Sequence, residues 1–105
     1  MEIVYASLTL RRPGEPLHDS EAAEVVDALW AHAQPGDGLQ HASARLERDR
    51  IDLLLYLMTR NAPTEPSALC RAHTLIERSQ RHSPALRRRY LPPAPHTHDA
   101  DDICW

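Results

Sequence analysis

The chain of 105 residues contains neither phenylalanine nor lysine. Without Phe, and with only two Trp and three Tyr, the interior must be assembled from Leu, Val, Ile, Ala and Met. Without Lys, every permanently positive side chain is one of twelve arginines. That bias, with many Ala and nine Pro, points to a GC-rich bacterial genome, an inference from codon usage and not from physics. No run approaches the ~20 apolar residues that a bilayer-spanning helix needs, and no basic stretch followed by an apolar core marks the start as a secretory signal. A cytoplasmic protein that does not enter the membrane is therefore expected. The two cysteines, Cys70 and Cys104, are far apart, which suits reduced thiols better than a disulfide scaffold. A chain this short forms one domain and buries about two thirds of its unfolded surface, so a deep catalytic cleft is hard to build.

What is present reads as alternating elements. From Glu2 to Arg11, Val4, Ala6, Leu8 and Leu10 share one face and Tyr5, Ser7 and Thr9 the other, the period of a half-buried strand. Arg12-Pro-Gly-Glu-Pro breaks it. Asp19 or Ser20 offers a helix cap, Glu21 and Glu24 suit the first turn, and Ala22, Val25, Val26, Leu29 and Ala33 recur at helical spacing up to Pro35-Gly-Asp-Gly38. Leu39 to Leu46 alternates again, Ile51 to Thr59 is a dense apolar run, and Glu47-Arg-Asp-Arg50 between them reads as a hairpin connection. Asp52 is expected to point outward near that hairpin. After Asn61-Ala-Pro-Thr-Glu-Pro-Ser67, the residues Ala68, Leu69, Ala72, Leu75, Ile76 and Ser79 make a narrow stripe on a second helix, capped by Thr64 or Ser67. Ser83-Pro84 opens a short extra helix over Ala85 to Leu91.

The expected class is α+β, with βαββα order. Strand one crosses through a helix to strand two, strand three returns by the hairpin to the middle of a three-stranded sheet, and both helices cover one face. This order resembles a truncated ferredoxin-like fold over residues 2–82, a resemblance of topology that implies no activity, because that fold hosts many. The expected organisation is a single domain at 1–91, followed by an extended tail at 92–105. On the uncovered face, Ile3 and Tyr5 are expected beside Leu39, His41 and one alternate set of strand three, either Ile51-Leu53-Leu55-Leu57 or Leu54-Tyr56-Met58. Both sets are apolar. An apolar sheet face of this kind is more often an interface than open to solvent, so a homodimer or a stable hetero-complex is expected.

The net charge is -3, but its sign is divided along the chain. Residues 60–91 hold seven arginines against Glu65 and Glu77, whereas acids dominate before them. Arg71, Arg78 and Arg81 on the second helix, with Arg87, Arg88 and Arg89, form a candidate basic patch. No helix-turn-helix, zinc finger or aromatic platform accompanies it, so nucleic acid ranks behind a protein partner. His96 and His98, beside Asp99, are weak candidates for a metal, since a segment that must order itself around an ion loses entropy and structural zinc sites recruit pre-positioned ligands. Cys70 and His73 share a helix face but lack the orienting group a nucleophilic thiol needs, so Cys70 reads as core. No cofactor and no catalytic residue is expected, and the chain is read as a non-enzyme.

The tail carries Pro92, Pro93 and Pro95, then three aspartates, then Ile103, Cys104 and Trp105. A solvated spacer that ends on apolar and reactive side chains suggests a segment read by others. The leading expectation is a small non-catalytic interaction or scaffold module that pairs through its apolar sheet face and presents Ile103, Cys104 and Trp105 for docking. The alternative rests on layout: the tail resembles the short core of a ribosomally made peptide natural-product precursor, which implies that Cys104 and Trp105 are modified. A small regulator that binds nucleic acid through the arginine-rich helix is the third reading.

Overall fold

The computed structural model describes residues 1–60 and 64–92. In order, the chain forms β1 (Glu2–Thr9), α1 (Glu21–His32), a 3₁₀ turn at Pro35–Asp37, β2 (Leu39–Glu47), β3 (Arg50–Leu57), α2 (Ala68–His82) and α3 (Pro84–Arg89). The sheet order is β1-β3-β2, and β3 pairs antiparallel with both neighbours. This is the expected α+β arrangement, with the last strand of the hairpin at the centre and the helices packed on one face. No helix among the described residues is long and apolar enough to cross a membrane.

The strand patterns resolve cleanly. Ile51, Leu53, Leu55 and Leu57 of β3 turn inward and are at most 2 % exposed, while Asp52, Leu54 and Tyr56 turn outward with Met58 beyond them. Val4 and Leu8 of β1, Ala42 of β2, Val25 and Leu29 of α1, and Ala68, Ala72, Leu75 and Ile76 of α2 complete the core with Leu10, Leu86 and Tyr90. Leu39 departs from its expected place on the outer face. A bulge at Gln40 breaks the register between Leu39, opposite Leu57, and His41, opposite Tyr56, so Leu39 packs against the core and only His41 faces out. One extra residue in a strand exchanges faces for everything beyond it.

The joints explain where elements stop. The hairpin is a two-residue turn at Arg48-Asp49, with Asp49 at φ 63°, a left-handed conformation that Asp tolerates better than most residues. Its carbonyl accepts the Leu10 N–H at 2.9 Å and its Oδ1 accepts the Gly14 N–H at 2.9 Å, tying the exit of β1 to the hairpin. Ser20 occupies the cap position of α1 without a side-chain bond. Glu21 instead fastens the segment that precedes the helix, its Oε2 accepting the His18 N–H at 2.7 Å. Ser67 caps α2 by accepting the Cys70 N–H at 3.1 Å, as expected, whereas Leu69 of the expected stripe is 39 % exposed. Ser83 caps α3 by accepting the Leu86 N–H, with Pro84 in its first turn, where a missing N–H costs nothing.

After α3 the chain returns to the sheet for one bridge. Tyr90 lies opposite Leu10, the Arg11 N–H donates to the Arg89 carbonyl at 2.9 Å, and the Leu91 N–H donates to the Thr9 carbonyl at 2.8 Å. A complete ferredoxin-like sheet would carry a fourth strand at this position. Here the chain contributes one bridged residue.

Candidate functional site

The uncovered face of the sheet is built in cross-strand rows. Ile3, Tyr56 and His41 form one row, followed by Tyr5, Leu54 and Ser43, then Ser7, Asp52 and Arg45, then Thr9, Arg50 and Glu47. Apart from Ser43, the first two rows are aliphatic or aromatic. Ile3 is 53 % exposed, Tyr5 77 % and Met58 46 %, and the rings of His41 and Tyr56 lie 5.3 Å apart at a tilt of 38°. The last two rows are polar and paired within themselves: the Ser7 hydroxyl donates to Asp52 Oδ1 at 2.9 Å, Arg50 Nε donates to the same oxygen at 2.8 Å, and Arg45 meets Glu47 at 2.8 Å. Asp52 thus points outward near the hairpin, as its position in the strand suggests.

A hollow of about 560 Å³ lies on this face, lined by Tyr5, Ser7, Ser43, Arg45, Arg50 and Asp52 among others. It holds a hydroxyl and a carboxylate in contact, but this is poor equipment for nucleophilic chemistry. Hydrogen bonds from Arg50 and Ser7 hold the Asp52 carboxyl below its usual range. A carboxylate stabilised as the anion is a weaker base. His41 stands in the opposite, aromatic half of the face.

The six arginines of the expected basic patch are spread over different tasks. Arg71 is 3 % exposed and donates to three carbonyls: Pro66 at 3.1 Å, Asp37 at 3.0 Å and Met58 at 2.9 Å. It thereby clamps the entry of α2, the 3₁₀ turn and the end of β3. Gly38 makes room for it, since a Cβ there would lie 2.7 Å from Arg71 Nη1. Arg78 donates to both carboxylate oxygens of the buried Asp37, at 2.8 and 3.2 Å, and to the His32 carbonyl at 3.0 Å. Asp37 also accepts the Gln34 N–H, closing the turn.

Arg89 belongs to a third lock. It donates to Glu21 at 3.1 and 2.8 Å and to Glu15 at 2.9 Å, while the Tyr90 hydroxyl donates to Glu21 Oε1 at 2.7 Å. Glu21 is 4 % exposed. Burial pushes its carboxyl up, but hydrogen bonds from Arg89, Tyr90 and the His18 N–H outweigh this and hold it below the ordinary value. Burial and the Glu21 anion together push the Tyr90 hydroxyl well above the usual phenol range. This cluster lines a second hollow of about 430 Å³ with His18, Glu24 and Val25. Its carboxylate has donors on both oxygens, so its evident role is to hold α1 against α3. Arg81 is exposed and paired with Glu77 at 2.8 Å, and Arg87 and Arg88 are exposed. The geometry therefore does not assemble the six into one free cationic stripe.

Cys70 is 2 % exposed, in keeping with the core position expected for it. It is disulfide-bonded, which corrects the expectation of reduced thiols; Cys104 lies outside the described residues. His73 meets Glu77 at 3.5 Å. His32 and His82 stack at 6.2 Å, a contact that residue spacing did not reveal. Among the described residues, no three His, Cys, Asp or Glu side chains converge in a way that would hold a metal ion. His96, His98, Ile103, Cys104 and Trp105, the metal candidates and tail sites read from sequence, lie outside the described residues. Comparison with known proteins finds no matching family model, no matching curated protein and no matching solved structure.

Proposed function

We propose that the protein is a small non-catalytic interaction module whose uncovered sheet face docks a protein partner. One observation carries this reading: Ile3, Tyr5 and Met58 stand exposed around Leu54, Tyr56 and His41, on a face that no part of the described chain covers. Large aromatic and aliphatic side chains gathered on one face offer the buried area that anchors a partner. The polar rows beside them satisfy one another and form a ready rim. The nucleic-acid reading is less well supported, because Arg71, Arg78 and Arg89 spend their guanidinium groups on interior partners. The docking-tail and precursor readings rest on residues beyond those described, and the face supports neither.

A photo-crosslinking amino acid at Tyr56 in the full chain, expressed in its own host, tests the proposal. A control carries the same group at the exposed Ala23 on α1. A discrete protein adduct from position 56 that is missing from position 23 is the expected result. No adduct at 56, or equal smears from both positions, would sink the reading.

A further inference from the structure

The free edge of β1 points to a specific occupant. In an antiparallel ladder, the N–H and C=O of each residue point to the same side, and successive residues alternate. The Leu10 N–H reaches the hairpin side, to Asp49, whereas the Arg11 N–H and Thr9 C=O reach the opposite side, to Arg89 and Leu91. Counting back by twos, Ile3, Tyr5 and Ser7 also direct their backbone groups away from β3. Among the described residues they form an open row of donors and acceptors that ends where Leu91 occupies Thr9.

The chain's own continuation is chemically unfit to fill that row. With Leu91 opposite Thr9, the same register would set Pro93 opposite Ser7 and Pro95 opposite Tyr5. Proline has no N–H to give at either position. The stretch Ile3-Val-Tyr-Ala-Ser7 is also uncharged and free of proline and bulges, so it has none of the devices that usually guard an exposed edge. The β2 edge differs, with its bulge at Gln40 and the charged Arg45 and Glu47.

We propose that β1 is the seam of a twofold dimer in which Ile3–Ser7 pairs antiparallel with Ile3–Ser7 of a second copy of this chain. An edge of this kind is self-complementary, because a twofold axis brings donors opposite acceptors in both directions. The register centred on Tyr5 sets Tyr5 against Tyr5, Ile3 against Ser7 and Ser7 against Ile3. It pairs the whole open row within β1 and stays clear of Leu91. Two three-stranded sheets then become one six-stranded sheet, and the two most exposed tyrosines pack across the seam. The inference does not depend on what docks on the outer face.

Hydrogen exchange by NMR on the full chain, over a wide concentration series and alongside sedimentation equilibrium, tests it. The expected result is a concentration-dependent mass rising toward twice 11.9 kDa. The amides of Ile3, Tyr5 and Ser7 should slow by at least about tenfold as the dimer fills, since each becomes bonded across the seam. Tyr5→Pro removes an outward N–H without touching the β1–β3 ladder and should give a folded monomer. Tyr5→Lys, which keeps the backbone but opposes like charges on the axis, should weaken the dimer in the same direction. A chain that stays monomeric at every concentration overturns the proposal. So does a dimer in which those three amides exchange as fast as in the monomer, or one that Leu54→Arg on the central strand abolishes while Tyr5→Pro leaves it intact. The last of those results would assign self-association to the face, while leaving the crosslinking experiment at Tyr56 to be judged separately.

Discussion

The two faces of β3 are made from the same eight residues by taking every second one, yet they meet different fates. Ile51, Leu53, Leu55 and Leu57 vanish beneath the helices, whereas Asp52, Leu54 and Tyr56 remain at the surface. Hydrophobicity alone does not separate them, since Leu54 is as apolar as Leu55. The difference lies in what surrounds the inner set. The helices that cover it are fixed by three polar locks, Arg71 on its carbonyls, Arg78 on Asp37, and Arg89 with Tyr90 on Glu21. The outer set has only its own neighbours. An apolar side chain in a sheet is thus a core residue or an interface residue according to whether the rest of the chain commits an element to cover it.

The sharpest way to break this comparison is to truncate one member of each set. Leu55→Ala should destabilise the fold by about 3 to 4 kcal/mol, because it deletes a fully enclosed side chain and leaves a cavity. Leu54→Ala in the monomer should cost below about 1 kcal/mol. Urea denaturation of the two variants measures the gap, and equal losses would mean that the outer face is already covered in the free protein.

Gly38→Ala attacks the lock around Arg71. A left-handed backbone at φ 70° and a Cβ 2.7 Å from the guanidinium both oppose it, so a loss of about 2 to 3 kcal/mol is expected. Thermal denaturation checks this, and a neutral result would show that Arg71 moves aside freely.

Glu21→Gln should cost about 2 kcal/mol near neutral pH by removing charged hydrogen bonds in a buried setting. Its pH signature is more specific. The folded carboxyl titrates below the ordinary 4.5, so its stabilisation is complete above that value and is lost as pH falls through the folded pKa. Stability of the native protein should drop in that acidic window, and Glu21→Gln should flatten the drop. Tyr90 acts at the other end: its raised value keeps the hydroxyl protonated when folded, so stability should decline as pH rises above the usual 10.0. Tyr90→Phe should remove that alkaline decline.

The smallest effect is expected on the inner side and with opposite sign. The Ser79 hydroxyl is buried without a hydrogen-bond partner. Ser79→Ala should therefore raise stability by up to about 1 kcal/mol in the same urea measurement.

Much of this architecture was legible in residue order. Period-two alternation marked β1 and β2, the Ser67 and Ser83-Pro84 signals marked the starts of α2 and α3, and the hairpin placed β3 in the middle. Three features were not legible, each for a physical reason. The Gln40 bulge has no side-chain signature, so simple alternation places Leu39 on the wrong face. Both apolar sets of β3 look alike until something is known of what covers them. The polar locks join residues as far apart as Glu21 and Tyr90, and arginine is ordinarily a surface residue, so Arg71, Arg78 and Arg89 read as a patch rather than as interior fasteners. For the candidate face, Ile3, Tyr5 and His41 were visible from alternation. Their convergence with Leu54, Tyr56 and Met58 needed the register.

The misplaced residue at Gln40 also bears on how assembly ends. A body with one receptive rim can join a single copy of itself and then has nothing left to offer, so growth stops at two. Excising Gln40 and replacing Arg45 and Glu47 with uncharged residues would strip the far rim of its guards and make it receptive as well. Every copy would then present two sticky flanks, and the same contacts that close a pair would propagate without limit into a filament.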